Sequence, residues 1–249
     1  MKFADFRLVR KHVYYLTLEN LRQPMYGIST IVFPSLFFWF FGIPNAPDQN
    51  GLAMLTGSFC AFGVLSVVLF QFGIGLATDR DATWYSYLRV LPGPKGLQML
   101  SRIISGFIFA VLSVGGVLLT AKVLGSLEFQ NYSWTKFILI LFLGAIPFSF
   151  LGLLLGLLVS ARSATPVLNL VYLTLSFAGG LWMPPDVLPK FVREISIYLP
   201  SRMYGELLWS SVLARPSELH NGWGLCAYAI GLLCCLVFVI HREQEKTFR

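Results

Sequence analysis

Three charged residues in succession, Asp79, Arg80 and Asp81, follow directly on a membrane-length apolar run. They open a polar island from Gly75 to Lys95 that also holds Thr83, Trp84, Tyr87, Leu88 and Arg89 and closes on Pro92-Gly93-Pro94. Carboxylates and guanidinium groups side by side can make charge-assisted hydrogen bonds to a partner surface. Trp84, Tyr87 and Leu88 can supply its apolar anchors. We read the island as a short helix on the cytoplasmic face that takes a mechanical push from a separate protein. The plainer alternatives are solvated juxtamembrane charges and an aromatic belt lying on lipid. Asp79 and Asp81 also imitate a metal-binding Asp-x-Asp, but Arg80 intervenes and no carboxylate cluster accompanies them.

The rest of the chain is poor in chemistry. No Gly-x-x-x-x-Gly-Lys-Ser/Thr phosphate loop is present, since the one Lys followed by Ser or Thr is Lys246-Thr247, preceded by Glu245. There is no Gly-x-Ser-x-Gly elbow and no His-Glu-x-x-His pair. His12, His220 and His241 are far apart in sequence. Cys60, Cys226, Cys234 and Cys235 sit in apolar runs without metal-ligand spacing and read as small buried hydrophobes. The expectation is a chain with no catalytic residue, no metal and no cofactor of its own.

What positions the island is a membrane bundle. Of 249 residues 56% are hydrophobic and only 12% charged. A soluble domain carries about twice that charged share. The chain reads as an all-α polytopic membrane protein in one domain, 1–249, with no internal repeat. Six transmembrane helices are expected, at about 25–43, 52–76, 97–124, 137–160, 167–183 and 223–240. Pro34 should kink the first, and Gly152-x-x-x-Gly156 in the fourth lets another helix pack closely. Before the spans, 1–23 places Phe3, Phe6, Val9, Val13 and Leu16 at steps of three and four among basic residues, an amphipathic interfacial helix. It is too charged for a cleavable signal peptide.

Thirteen Lys and Arg fall on the face that holds both termini, the island region 77–95 with the nearby Arg102, and Arg162, against six on the other face. Both termini are therefore expected to be cytoplasmic. The same bias accounts for the net charge of +7 without nucleic acid. The segment 184–206 is too polar and Pro-broken to span and too apolar for an open loop. Two short re-entrant helices dipping into the outer leaflet fit it, as does one helix lying flat on the outer surface. Arg102 and Lys122 are the charges inside spans, each near enough to an end to snorkel. A substrate path would draw on Ser29, Thr30, Trp39, Ser58, Asn169, Thr174 and Ser176.

Three stretches resemble the ABC type-2 permeases, the membrane subunits of bacterial ATP-driven exporters. They are Arg22-Gln23-Pro24, then Thr78-Asp79-Arg80-Asp81-Ala82-Thr83 with Leu88-Arg89-Val90-Leu91-Pro92, then Gly179-Gly180-Leu181-Trp182-Met183-Pro184 through Leu188-Pro189 and Tyr198-Leu199-Pro200. The family's island usually has Glu-Arg followed by Gly-Thr, where this chain has Asp-Arg-Asp-Ala-Thr. The resemblance implies an inner-membrane permease that pairs with a second permease chain, identical or paralogous, on two copies of a separate ABC nucleotide-binding ATPase. ATP and Mg would sit on that partner. It implies that the N-terminal helix and the coupling residues Asp79, Arg80, Asp81, Thr83, Trp84, Tyr87, Leu88 and Arg89 contact the ATPase. The first, second and fifth spans would face the partner permease and line the path, and Met183, Pro184, Pro189 and Pro200 would form an outer gate. Amphipathic or lipid-like cargo, such as drugs, lipids or lipid-linked molecules, suits an apolar, aromatic path. The competing readings are an ion-coupled secondary transporter, disfavoured by the lack of acidic residues in the spans, and a membrane-embedded lipid-modifying enzyme.

Overall fold

The computed structural model describes residues 3–82, 95–128, 133–213, 215–216 and 219–247. These residues form helices and turns, with no strand among them. Helix α1 is Phe3–Arg22. After the extended Gln23, Pro24 opens α2, Pro24–Gly42, as suits a residue with no amide to satisfy in a first turn. Helix α3, Gln49–Asp81, is the longest described candidate span. The Asp48 carboxylate starts it by accepting from the Gly51 amide at 2.6 Å. Helix α4 is Lys95–Val123. The fourth span is two helices, α5 Trp134–Leu143 and α6 Ile146–Leu158. Helix α7 is Ala161–Ala178. A 3₁₀ turn, Pro185–Val187, precedes α8, Lys190–Ser196, and α9, Pro200–Val212. Helix α10, Leu219–Thr247, ends the described chain.

Five of these segments are long and apolar enough to cross a membrane: α2, α3, residues 99–123 of α4, α5 with α6, and residues 219–242 of α10. The expected fifth span differs from the rest. Its helix begins six residues earlier than expected and takes in Arg162, Ser163, Thr165 and Pro166, which lie between the expected fourth and fifth spans. The Ser160 and Ser163 hydroxyls, 2.9 Å apart, sit at the bend that starts it. The apolar part of α7 is correspondingly short.

Helix α3 is the centre. Through its apolar window 83% of residues are buried, against 22% in α2 and 11% in α10. α2, α4, α6, α7 and α9 all pack on it. Three kinds of contact hold them. The first is backbone approach: a Cβ on Gly156 would lie 2.6 Å from the Gly73 carbonyl oxygen, and one on Gly152 would lie 3.1 Å from that of Val68. The small pair in α6 therefore serves α3 of the same chain. The second is aromatic. Phe62 of α3 stacks on Tyr172 of α7 at 4.6 Å and on Phe37 of α2 at 6.1 Å, and Trp182 meets both Phe37 and Phe62 edge-on. Each such pair contributes about 1 kcal/mol beyond its burial. The third is hydrogen bonding: Trp209 Nε1 of α9 donates to the Ser58 hydroxyl at 2.7 Å.

Two breaks have clear causes. Pro147 cannot donate to the Leu143 carbonyl, and the fourth span bends at Gly144-Ala145. The Tyr204 hydroxyl donates to the Leu141 carbonyl there at 2.5 Å, with its ring where a Gly144 side chain would be. Pro34 cannot donate to the Thr30 carbonyl, and π-helical turns at Ile28–Val32 and Phe38–Gly42 flank it. The cysteines correct one expectation. Cys60 is buried, but Cys226, Cys234 and Cys235 are exposed on α10, because that helix touches the bundle along one side and leaves the rest outward.

The glycine crossing yields a graded test. Gly156→Ala should destabilise by about 1–3 kcal/mol, because its contact is backbone and cannot swing aside. Gly152→Ala should cost less. Thermal unfolding of the detergent-purified chain, followed by tryptophan fluorescence, ranks the two variants. Equal midpoints for Gly156→Ala and the unaltered chain would contradict the close crossing.

Candidate functional site

The island does not begin as a separate helix. α3 runs on past its apolar part through Gly75–Asp81 and stops only where Ala82 turns extended. Asp79, Arg80 and Asp81 are its last turn. Thr83, Trp84, Tyr87, Leu88 and Arg89 lie outside the described residues.

Arg80 points at the end of α6. Val159 is extended and terminates that helix, leaving its last carbonyls without intrahelical amides. Arg80 Nη1 donates to the Gly156 carbonyl at 3.2 Å and also to that of Leu157. A cation suits the negative end of a helix.

Asp79 pairs with Arg102 of α4. Arg102 is only 15% exposed and Asp79 47% exposed at their side chains. Arg102 therefore does not snorkel as its position near the end of a span suggested; it reaches inward, because a carboxylate and a carbonyl wait there. The carbonyl is Gln71's, which accepts from Arg102 Nη1 at 3.2 Å. It is available because α3 widens into a π-helical turn at Phe70–Ile74, where the Gly75 amide bonds to Phe70. In a regular α-helix that amide would bond to Gln71. The Gln71 side chain completes the set. Its Nε2 donates to the Arg102 carbonyl at 2.9 Å and its Oε1 accepts from the Tyr26 hydroxyl of α2 at 2.6 Å. Gly75 and Gly106 leave room for the two long side chains. One turn along α4, Ser105 accepts from Thr17 of α1 at 3.2 Å.

One polar network thus fastens the end of α3 to α2, α4 and α6, with α1 attached beside it. Arg102 and Gln71 are its hubs, and sequence reasoning gave neither that role. The available signal was two opposite charges near facing ends of consecutive spans. Asp81 stays exposed at the tip. The network holds no nucleophile and no acid–base pair aimed at a cleft, and no group of three His, Cys, Asp or Glu suited to a metal occurs among the described residues. What it does is structural: it ties the last turns of α3 to the neighbouring helices.

The remaining expected positions separate. Thr30, Ser58 and Ser176 are buried within the chain. Thr30 donates to the Tyr26 carbonyl at 2.7 Å, and Ser58 is taken by Trp209. The second span, expected on the partner side, is the sheathed core. Trp39 and Thr174 are exposed, while Ser29 and Asn169 are half-buried. At the other end of the chain's polar chemistry, Met183 and Pro184 are half-buried, Pro189 exposed and Pro200 buried. There Gly180 takes a left-handed φ of 76° and Gly179 lets Ser201 come close. Arg202 pairs with Glu206 and lies over the Trp209 ring at 5.1 Å.

Comparison with known sequences gives two findings. The sequence model described as "ABC-2 type transporter" matches residues 13–213. The Bacillus subtilis (strain 168) protein named "Putative transport permease YvfS" is 28% identical over 229 residues, which covers 90% of this chain and 93% of that protein.

The network predicts a ladder of stabilities. Arg102→Ala strands the Asp79 carboxylate and the Gln71 carbonyl and should cost about 2 kcal/mol. Arg102→Lys keeps the charge but cannot serve both acceptors, and should fall between. Melting of the purified variants reads the order, and an Arg102→Ala midpoint at the unaltered value would remove the network's structural role.

Proposed function

From the premise that this chain belongs to the ABC-2 type transporter family, and so is a membrane permease of an ABC transporter, we propose that it is the permease half of an ATP-driven exporter worked by a separate nucleotide-binding subunit. The observation that carries the proposal is the fastening of Asp79 to α4 and of Arg80 to α6. Under this reading Asp81, Thr83, Trp84, Tyr87, Leu88 and Arg89 present the contact to the ATPase, and α1 completes the docking surface. Asp79 and Arg80 act one step inside it, passing the displacement on. Closure of two ATPases then tilts the bundle between discrete packed states.

Six helices cross the inner membrane in this reading, α7 being the sixth. Its 18 residues reach about 27 Å, close to the hydrocarbon thickness. Both termini and the island face the cytoplasm. Residues 184–206 dip from the outer side. In support, Trp182 packs at the level of Phe62, about 20 Å along α3 from its start, and α9 then brings Val212 against Gly57 nearer that start. Two permease chains pair, leaving Trp39 and Thr174 facing the path and Met183, Pro184, Pro189 and Pro200 at its outer mouth. The cargo is amphipathic or lipid-like and leaves the cell; the exposed aromatic side of α2, with Phe40 61% exposed, supports that class. ATP and Mg belong to the partner.

The test separates contact from transmission. The chain is purified with its ATPase and hydrolysis is measured. Asp81→Lys and Trp84→Ala should cut ATPase stimulation at least about fivefold, roughly 1 kcal/mol of contact, while leaving the melting midpoint unchanged. Asp79→Asn should lower both. Full stimulation and intact complexes in all three variants would refute the coupling role.

A further inference from the structure

At the end of the bundle away from the polar network, two cations line one cavity, and no carboxylate is among its described lining residues. Lys136, in the first turn of α5, and Arg215, just past α9, line a cavity of about 330 Å³ with Ser133, Ser210, Ser211 and Pro216. The location follows from α3, whose starting residue Gln49 reaches the Ser126 carbonyl at 3.4 Å in the connection towards α5. Neither Lys136 nor Arg215 has an ion-pair partner among the described residues. The Ser210 and Ser211 hydroxyls are turned away as donors, each giving its proton to a carbonyl three residues back at 2.7 Å. Lys136 and Arg215 are the cationic donors of the lining, and the first turn of α5 adds the positive end of a helix.

The same helix carries an apolar groove of about 540 Å³, lined by Trp134, Thr135, Ile138, Leu139, Phe142 and Leu143. Phe142 is backed by Phe107 of α4 at 4.6 Å. The groove extends over ten residues, about 14 Å, which is close to half the hydrocarbon thickness of a bilayer. The cation-lined cavity and an apolar track about one leaflet long therefore both begin at the first turn of α5.

We propose that this is a binding site for an anionic phospholipid, its phosphodiester between Lys136 and Arg215 and an acyl chain along the α5 groove. Charge complementarity selects the head group, and the apolar track that starts from the same helical turn selects a lipid over a soluble anion. The site lies on the outer leaflet if the proposed topology holds, but the inference rests only on the chain spanning a membrane. It stands or falls apart from the ATPase reading.

Native mass spectrometry of the full detergent-purified chain tests it, with added phosphatidylglycerol, phosphatidylcholine or inorganic phosphate. Phosphatidylglycerol should be retained in preference to phosphatidylcholine and should resist displacement by millimolar inorganic phosphate. The double variant Lys136→Ala/Arg215→Ala should bind phosphatidylglycerol about tenfold more weakly, each cation near a membrane surface contributing on the order of a few-fold. Ile138→Asp, which sets a carboxylate in the groove, should weaken it as well. The charge-conserving pair Lys136→Arg/Arg215→Lys should bind as the unaltered chain, and Arg215→Ala alone should lose about threefold should the double variant not fold. Unchanged retention in Arg215→Ala, equal retention of the two lipids, or displacement by inorganic phosphate would each overturn the proposal.

Discussion

In a hydrocarbon solvent a leucine gains nothing by leaving lipid for another leucine, so a membrane bundle depends on how closely backbones can approach and on hydrogen bonds that lipid cannot offer. The crossing of α3 and α6 at Gly73, Gly152 and Gly156 meets the first requirement. With both surfaces reduced to backbone, the helices touch without intervening side chains. That contact also sets α6 in the place where Arg80 reaches its terminal carbonyls. The rest of the network at the end of α3 presupposes this approach.

The network has a property that follows from its chemistry. Arg102 and Gln71 are bonded to each other through both backbone and side chain, so α3 and α4 share a joint that resists sliding as well as separation. Tyr26 and Asp79 extend the joint to α2 and to the island's first charge. A displacement at Asp81 has no compliant linker to dissipate in before it reaches the buried helix. By contrast, the rest of α3 is tied to its neighbours by separate single bonds, from Gln49 to the Ser126 carbonyl, from Trp209 to Ser58 and from Tyr172 to the Phe62 carbonyl, and by stacked rings.

Much of this was legible in the sequence. Long apolar runs bounded by charge and proline placed most spans to within a few residues, and the absence of a phosphate loop pointed to an engine elsewhere. What could not be read is partnership across the bundle. Arg102 looked like a snorkelling residue because one-dimensional position gives depth but not direction. Gln71 was given no role because nothing in composition announces a π-helical turn that bares its carbonyl. Ser58 looked like a path residue because the indole that claims it lies 151 positions later. The cysteines of α10 looked buried because an apolar run reads alike whether its neighbour is protein or lipid. The start of α7 was lost because Thr165-Pro166 imitates a turn, while Pro166 is tolerated as the sixth residue of a helix.

The π-helical turns of α2 carry a last consequence. Its buried residues are Thr30, Pro34, Phe38 and Gly42, a strict interval of four. Twelve residues of plain α-helix would rotate that row by about 120° around the axis, carrying Gly42 off the side that Thr30 presents. The two wide turns take up the excess rotation and keep the row straight. For a lineage of such chains, the tolerated length change in this helix is then tied to its winding. Losing one residue between Ile28 and Gly42 would turn everything beyond it by about a quarter of a circle or more, so that lipid and protein would exchange sides. Insertions and deletions, ordinarily confined to loops by disruption of packing, are excluded here by rotational phase.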